Sequence, residues 1–126
     1  MMLIDTDVLI WYMKGNDRAF KLIEKLNGFF ISAVTYIELV QGIRNKNELI
    51  ELRKAIASWN TKIIFINEEI SVKATFFIER FYLSHSLHLA DSLIAATAMV
   101  NGLPLVTAND KHYRIIKEIQ INKFRP

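Results

Sequence analysis

Residues 3–9 read LIDTDVL, a short apolar run followed by an acidic turn and the start of a second apolar segment. Met2–Ile4 predicts a short strand, and Val8–Lys14 predicts a helix that stops near Gly15 and Asn16. A strand that passes directly into a helix through polar residues is typical of α/β folds, in which ligands bind beyond the carboxyl ends of the strands. The acidic turn is therefore the first candidate for a functional site.

The turn contains three side chains that can cap a helix. Thr6 or Asp7 is the expected N-cap, because their oxygens can accept hydrogen bonds from the first backbone N–H groups of the helix. In that arrangement Asp5 is free to point into the crevice, with Thr6 and Asp7 as supporting residues. The competing interpretation is that all three residues serve only the helix terminus.

The rest of the chain alternates between short strands and longer helices. Predicted strands are 29–31, 62–66, 105–107 and 119–124; predicted helices are 17–26, 32 or 35 to about 44, 47–59, 68–83, 87–101 and 110–116. The predicted strand 62–66 is continuously apolar after its first residue, as in a strand covered on both faces, and 119–124 is expected at a sheet edge. This alternation predicts an α/β fold: a single domain over residues 1–126 with a mostly parallel sheet flanked by helices on both sides.

Further acidic residues are scattered along the chain, at Glu38, Asp91 and Asp110. Asp5 and Asp110 closely follow predicted strands, and Glu38 follows strand 29–31 after one potential helical turn. Three of the four acids are therefore expected at the binding edge of the sheet. Several oxygen ligands brought together from distant positions are what a divalent cation requires. The leading hypothesis is metal-dependent phosphodiester chemistry.

Glu38 has two interpretations that depend on where its helix begins. Thr35 and Glu38 have the spacing of a capping box, in which the carboxylate would bond to its own helix. If Ser32 is the cap instead, Glu38 lies further inside the helix and can face the pocket.

Asp91 and Asp110 also have structural alternatives. Asp91 lies in the apolar segment LHLADSLIAATA, where it needs either a helix N-terminus or a cation as partner, and Ser92 could support it. Asp110 could cap the helix that follows it, and Asn109 is an alternative oxygen donor at that position. Thr107 could orient a neighbouring carboxylate.

Composition restricts the kind of site. The 126 residues include no cysteine and three histidines, which excludes disulfides and thiolate ligands and leaves oxygen ligands that favour magnesium or manganese. Lysine and arginine exceed aspartate and glutamate by 16 − 13 = 3, and the isoelectric point is near 9.2. A basic surface around an acidic centre suits a polyanion such as nucleic acid, and Lys111, His112 and Arg114 are candidate phosphate contacts. The N-terminus lacks the charge order of a secretory signal, so a cytoplasmic protein is expected.

The helix predicted over 68–83 is apolar on two sides. Ile70, Ala74, Phe77, Ile78 and Phe81 form one stripe, and Val72, Phe76 and Leu83 lie roughly opposite. Such a helix is either enclosed by the fold or buries its second face in an oligomer. In a domain of this size we expect the oligomer.

Four segments, in this order and spacing, resemble the PIN-domain nucleases, specifically the VapC-type toxins of toxin–antitoxin pairs. They are LIDTDVLI, SAVTYIELVQGI, LHLADSLIAATA and LVTANDKHY, and together they span nearly the whole chain. The resemblance implies a parallel sheet of strand order 3-2-1-4-5. It also implies RNA cleavage dependent on Mg²⁺ or Mn²⁺, a homodimer and inhibition by a cognate antitoxin.

Residue by residue, the resemblance implies catalytic and metal-binding roles for Asp5, Glu38 and Asp91. The fourth acidic position maps to the pair Asn109–Asp110, of which Asp110 is favoured. His112 stands where the family commonly has an acidic residue, a departure that bears on the geometry of a second metal ion.

Two other classes of function compete with a nuclease. A phosphoacceptor signalling domain also collects aspartates at strand ends around magnesium, but it needs a lysine after a later strand, and the third strand here leads into Asn67–Glu68. A catalytically silent module that only binds a partner would retain the fold without the chemistry.

Overall fold

Five parallel strands form one sheet in the computed structural model, which describes residues 1–126. The strands are β1 (Leu3–Ile4), β2 (Phe29–Ser32), β3 (Thr61–Ile64), β4 (Leu105–Thr107) and β5 (Ile121–Lys123), in the order β3-β2-β1-β4-β5. The α/β class and the strand order expected from the sequence are confirmed. Because all five strands are parallel, their carboxyl ends meet along one edge of the sheet.

Seven helices connect and cover the strands, as the sequence predicts. They are α1 (Thr6–Met13), α2 (Asp17–Lys25), α3 (Ala33–Gln41), α4 (Lys46–Ser58), α5 (Glu68–His85), α6 (Leu89–Val100) and α7 (Asp110–Tyr113). The main differences from prediction are at the ends of α3 and α7, which stop about three residues earlier than expected. None of these helices is both long and apolar enough to cross a membrane.

The sheet separates two hydrophobic cores. Leu3 and Leu105 pack on the side covered by α5 and α6, whereas Ile4 and Val106 pack on the side covered by α1, α2 and α4. This alternation follows from the two-residue period of a strand. Burial on both sides explains the continuously apolar character of the central strands.

The apolar residues of β3 contact both hydrophobic cores, as the sequence predicts. Ile63 packs against the core on the side of α1, α2 and α4, and Ile64 packs against the core on the side of α5 and α6. β3 lies at one edge of the sheet, in agreement with the strand order that the resemblance implies; Lys62 is exposed within it and Phe65, directly after it, is 72% exposed. β5 forms the opposite edge, as predicted.

Helix α5 has one buried and one exposed apolar face. Ile70 and Phe77 are fully buried against the sheet and α6, whereas Val72 and Leu83 are 63% and 94% exposed. The fold itself therefore does not enclose the second face of this helix.

Candidate metal centre

Asp5 is the residue between β1 and α1, and it caps the helix itself. Its backbone is extended, and Oδ1 accepts a 2.8 Å hydrogen bond from the N–H of Thr6. The prediction that Thr6 or Asp7 is the N-cap is therefore wrong. The physical reason is that α1 begins at Thr6, immediately after the strand, so that Asp5 is the only residue left in the capping position.

The register of β1 and β4 places Asp5 beside Thr107. Ile4 is paired with Val106, so the residues that follow them, Asp5 and Thr107, lie side by side at the carboxyl edge of the sheet. The hydroxyl of Thr107 donates a 2.8 Å hydrogen bond to Oδ2 of Asp5. Asp7 lies close to the same threonine, and its Oδ2 accepts a 3.0 Å hydrogen bond from the N–H of Ala108.

The two aspartates form a carboxyl pair that has no basic partner. Burial, followed by the charge of Asp7, raises the pKa of Asp5 from 3.8 to about 7. Burial also raises the pKa of Asp7, whose buried Oδ1 has no hydrogen-bond partner. Neither aspartate forms a salt bridge with lysine or arginine. A bound cation would supply the missing counter-charge.

Glu38 reaches the same region from α3. Ser32 caps this helix by accepting a hydrogen bond from Val34, so the capping box with Thr35 does not form. Oε1 of Glu38 instead accepts a 2.7 Å hydrogen bond from the hydroxyl of Thr6. Thr6 is thus bonded to two carboxylates, through its backbone N–H to Asp5 and through its hydroxyl to Glu38.

Asp91 lies in the first turn of α6, where its charge also interacts favourably with the helix N-terminus. It approaches Asp5 through Tyr113: burial raises the pKa of the Tyr113 phenol well above its ordinary value, and the charges of Asp5, Asp91 and Asp7 act in the same direction. His112 is the nearest basic group, with Nδ1 3.9 Å from Oδ2 of Asp91. The hydroxyl of Ser92 donates to the carbonyl of Leu89, so its one proton is used within the helix.

Asp110 is directed toward the C-terminal segment. Its Oδ1 accepts a 3.0 Å hydrogen bond from Arg125, and Nζ of Lys123 lies 3.7 Å from Oδ2. The hydrogen bond from Arg125 holds the pKa of this carboxyl below its ordinary value. Asn109 is exposed, and its N–H donates to the hydroxyl oxygen of Thr107. The choice between Asn109 and Asp110 as the fourth ligand stays a prediction.

The donor set suits a hard divalent cation, because it consists of carboxylate oxygens with an unpaired, buried acceptor among them. No three acidic or histidine side chains are close enough together in the structure to bind a single ion. Hydrogen bonds with Thr6, Thr107 and Ala108 nevertheless link Asp5, Asp7 and Glu38 in one region, with Asp91 beyond Tyr113 and Asp110 on the side of the C-terminal segment.

Several residues of this centre were not identified from the sequence as part of it. Tyr113 carries only the signal of an aromatic residue that ends a segment, and Arg125 lies 15 residues from its partner Asp110. The sequence pattern gives Thr35 only the role of a helix cap. The available signal was its position three residues before Glu38, which places both side chains on one face of α3.

Comparison with known proteins identifies the family of the chain. The sequence profile of the PIN domain matches residues 2–118. Ribonuclease VapC1 of Methanocaldococcus jannaschii is 32% identical over 119 residues, which cover 92% of this chain and 81% of the relative. Ribonuclease VapC10 of Mycobacterium tuberculosis is 33% identical over 124 residues, which cover 95% and 91%, respectively.

Solved structures share the fold over nearly the whole chain. A toxin–antitoxin complex from Klebsiella pneumoniae contains a chain that superposes with a TM-score of 0.80 at 27% identity, with 94% of this chain and 95% of that chain covered. For DNA-bound VapBC from Salmonella typhimurium the TM-score is 0.83 at 20% identity, with 98% of both chains covered. The chain therefore belongs to the PIN-domain family and is a VapC-type member of it.

Proposed function

We propose that this chain is a metal-dependent endoribonuclease, the toxin of a toxin–antitoxin pair, with cytoplasmic RNA as its substrate. The observation that carries the proposal is the grouping of Asp5, Asp7 and Glu38 at one end of the sheet without any lysine or arginine partner. Two relatives that are about one-third identical and match most of the chain are named ribonucleases. The basic composition suits a polyanionic substrate.

The metal ligands in this proposal are Asp5, Glu38 and Asp91, with Asp110 as the fourth candidate. Mg²⁺ is the expected ion and Mn²⁺ the alternative, because the donors are oxygens. Oδ1 of Asp110 is hydrogen-bonded to Arg125, so Oδ2 is the oxygen that could bind an ion while this contact is kept. Thr6 and Thr107 hold the carboxylates of Glu38 and Asp5, respectively.

A divalent cation in such a site lowers the pKa of water and neutralises charge on the phosphate. The other contributions come from side chains of the protein. The carboxylates hold their positions, and Tyr113, kept protonated by burial and by the neighbouring carboxylates, keeps its phenol proton beside Asp5. Lys111 and Arg114, both exposed on or next to α7, are placed to contact RNA phosphates.

The test is cleavage of total cellular RNA with and without MgCl₂. We expect Asp5→Asn, Glu38→Gln and Asp91→Asn to abolish cleavage while the circular dichroism spectrum is preserved. Asp17→Asn, which changes an exposed acid at the start of α2, is the matched control and should cleave normally. Cleavage that persists in chelator, or in purified Asp5→Asn protein, would contradict the proposal.

The same assay separates the alternatives. A silent binding module would bind an antitoxin without cleaving RNA. A phosphoacceptor domain of the flavodoxin-like kind has strand order 2-1-3-4-5. Here β3 lies at the sheet edge, and that observation argues against this class.

We place the antitoxin in a groove that leads to the carboxylates. The groove has a volume of about 660 Å³ and is bounded by α1, α3 and α4; its lining is largely apolar and includes Leu39, Ala55 and Trp59. Three glutamates and two basic residues line the groove, an excess of 3 − 2 = 1 negative charge: Glu38, Glu48 and Glu51 with Lys14 and Arg44. Arg44 and Glu48 form an ion pair, so Glu38 and Glu51, against Lys14, supply the excess negative charge. An amphipathic segment with basic residues matches this combination, and its basic end would lie beside Glu38.

We place a second copy of the chain on the exposed face of α5. Val72, Phe76 and Leu83 form an apolar stripe there that the fold leaves uncovered. Val72→Lys should shift the chain from dimer to monomer in light scattering after gel filtration, whereas Ser71→Lys on an adjacent exposed position should not. A wild-type monomer at all concentrations would contradict this assignment.

A further inference from the structure

A pair of buried threonine hydroxyls joins α1 and α3 beside the carboxylates. The hydroxyl oxygens of Thr6 and Thr35 are 2.9 Å apart, and Thr35 is completely buried. A threonine inside a helix commonly bonds back to the carbonyl four residues earlier, as Thr97 does with Leu93. Thr35 is the third residue of α3 and has no carbonyl of its own helix four residues earlier, and it reaches a residue 29 positions earlier in the chain.

The directions of these hydrogen bonds follow from the number of protons. Thr6 has one hydroxyl proton, and its oxygen lies 2.7 Å from Oε1 of Glu38. Thr6 donates this proton to Glu38, so its oxygen can only accept from Thr35, and the proton of Thr35 goes to the oxygen of Thr6. The chain of donation therefore runs from Thr35 through Thr6 to Glu38.

We infer that Thr35 is a positioning residue for the proposed metal centre. By donating to Thr6, it fixes the hydroxyl of Thr6 in the orientation that holds Glu38. The backbone N–H of Thr6 also donates to Asp5. Thr6 therefore holds the carboxylates of both Asp5 and Glu38, and the rotamer of Thr6 depends on Thr35. The presence of the ion rests on the proposed function. The coupling between Thr35 and Glu38 rests on the hydrogen bonds alone.

The coupling is tested without metal by a double-mutant cycle. Thr35→Val and Glu38→Ala are made singly and together, and urea unfolding is followed in chelator. We expect the shift in midpoint caused by Thr35→Val to fall by at least half when Glu38 is absent. Thr97→Val, which removes an equally buried helical hydroxyl away from the centre, should cause the same shift in both backgrounds. Additive effects of Thr35→Val and Glu38→Ala would overturn the inference.

The effect on the ion is tested by Mn²⁺ titration followed by electron paramagnetic resonance. Thr35→Val should weaken Mn²⁺ binding about tenfold, the usual size of an effect on groups that orient a ligand. Thr35→Ser should restore most of the affinity, and Thr97→Val should leave it unchanged. If the wild-type protein binds Mn²⁺ and Thr35→Val binds it with the same Kd, the role of Thr35 is overturned but the metal centre is not. Absence of Mn²⁺ binding by the wild-type protein would overturn the metal centre itself and, with it, this role.

Discussion

Thr107 donates a 2.8 Å hydrogen bond to Oδ2 of Asp5, a residue 102 positions earlier in the chain. The contact is a direct result of strand register, because the residues before them, Val106 and Ile4, are paired in the sheet. Thr107 also accepts a hydrogen bond from the N–H of Asn109. A single buried hydroxyl thus connects the carboxylate after β1 with the loop after β4.

Thr107→Val should destabilise the protein by about 1–3 kcal/mol, because it leaves a buried carboxylate oxygen and a backbone N–H without their partner. It should also weaken Mn²⁺ binding, since Asp5 loses an interaction that favours its ionised form. Urea unfolding and Mn²⁺ titration measure the two effects. Thr107→Ser is the control, and a valine variant equal to wild type in both measurements would contradict the role of this hydroxyl.

The raised pKa of Asp5 predicts an unusual pH dependence of stability in the metal-free protein. Between about pH 4 and pH 7 the folded state retains a proton that the unfolded chain releases, so this group makes stability fall as the pH rises through that window. Asp5→Asn removes the dependence. The melting temperature of Asp5→Asn minus that of wild type, measured in chelator, should therefore increase from pH 4.5 to pH 8. A constant difference would contradict the pKa of Asp5.

The opposite sign is expected for Asp110, whose pKa is lowered by Arg125. Its stabilisation is present above the unfolded pKa and is lost as the pH falls through the lower folded pKa. Asp110→Asn should therefore reduce the urea midpoint at pH 7 more than at pH 2.5. Arg125→Gln should cause a similar loss at pH 7, and the double variant should lose little more than either single one. Fully additive losses would show that the two residues act separately.

The proposed antitoxin groove contains an internal reporter. Of the two tryptophans, Trp59 lines the groove and Trp11 does not, so Trp11→Phe leaves a signal from the groove alone. The purified antitoxin encoded beside this chain's gene should change the fluorescence of that variant. Ala55→Phe, which fills the groove, should weaken binding. Ala57→Phe, at an exposed position of the same helix outside the groove, should not. Equal effects of the two substitutions would place the antitoxin elsewhere.

The sequence predicts the position of Asp5 from local signals, a short apolar run followed by polar residues. The strand order is expected from the family resemblance alone. The sequence does not predict which of three adjacent residues caps α1, because all three can cap and the helix boundary decides. The pairing of Asp110 with Arg125 is a tertiary property, because it requires β5 to be placed beside β4.

Glu38 shows where sequence reasoning could narrow a site without completing it. The spacing allowed either a capping box with Thr35 or a carboxylate facing the pocket. The hydrogen bond from Thr6 to Glu38 favours a carboxylate that faces the pocket. This hydrogen bond depends on the packing of α1 against α3, which no local sequence pattern encodes.

The most direct test of a shared metal centre is a crystal structure of the protein grown with MnCl₂, with anomalous diffraction used to locate the ion. The account predicts one anomalous peak whose ligands include carboxylate oxygens of Asp5, Glu38 and Asp91. A peak bound elsewhere, or a fully occupied ion that none of these three residues touches, would contradict it.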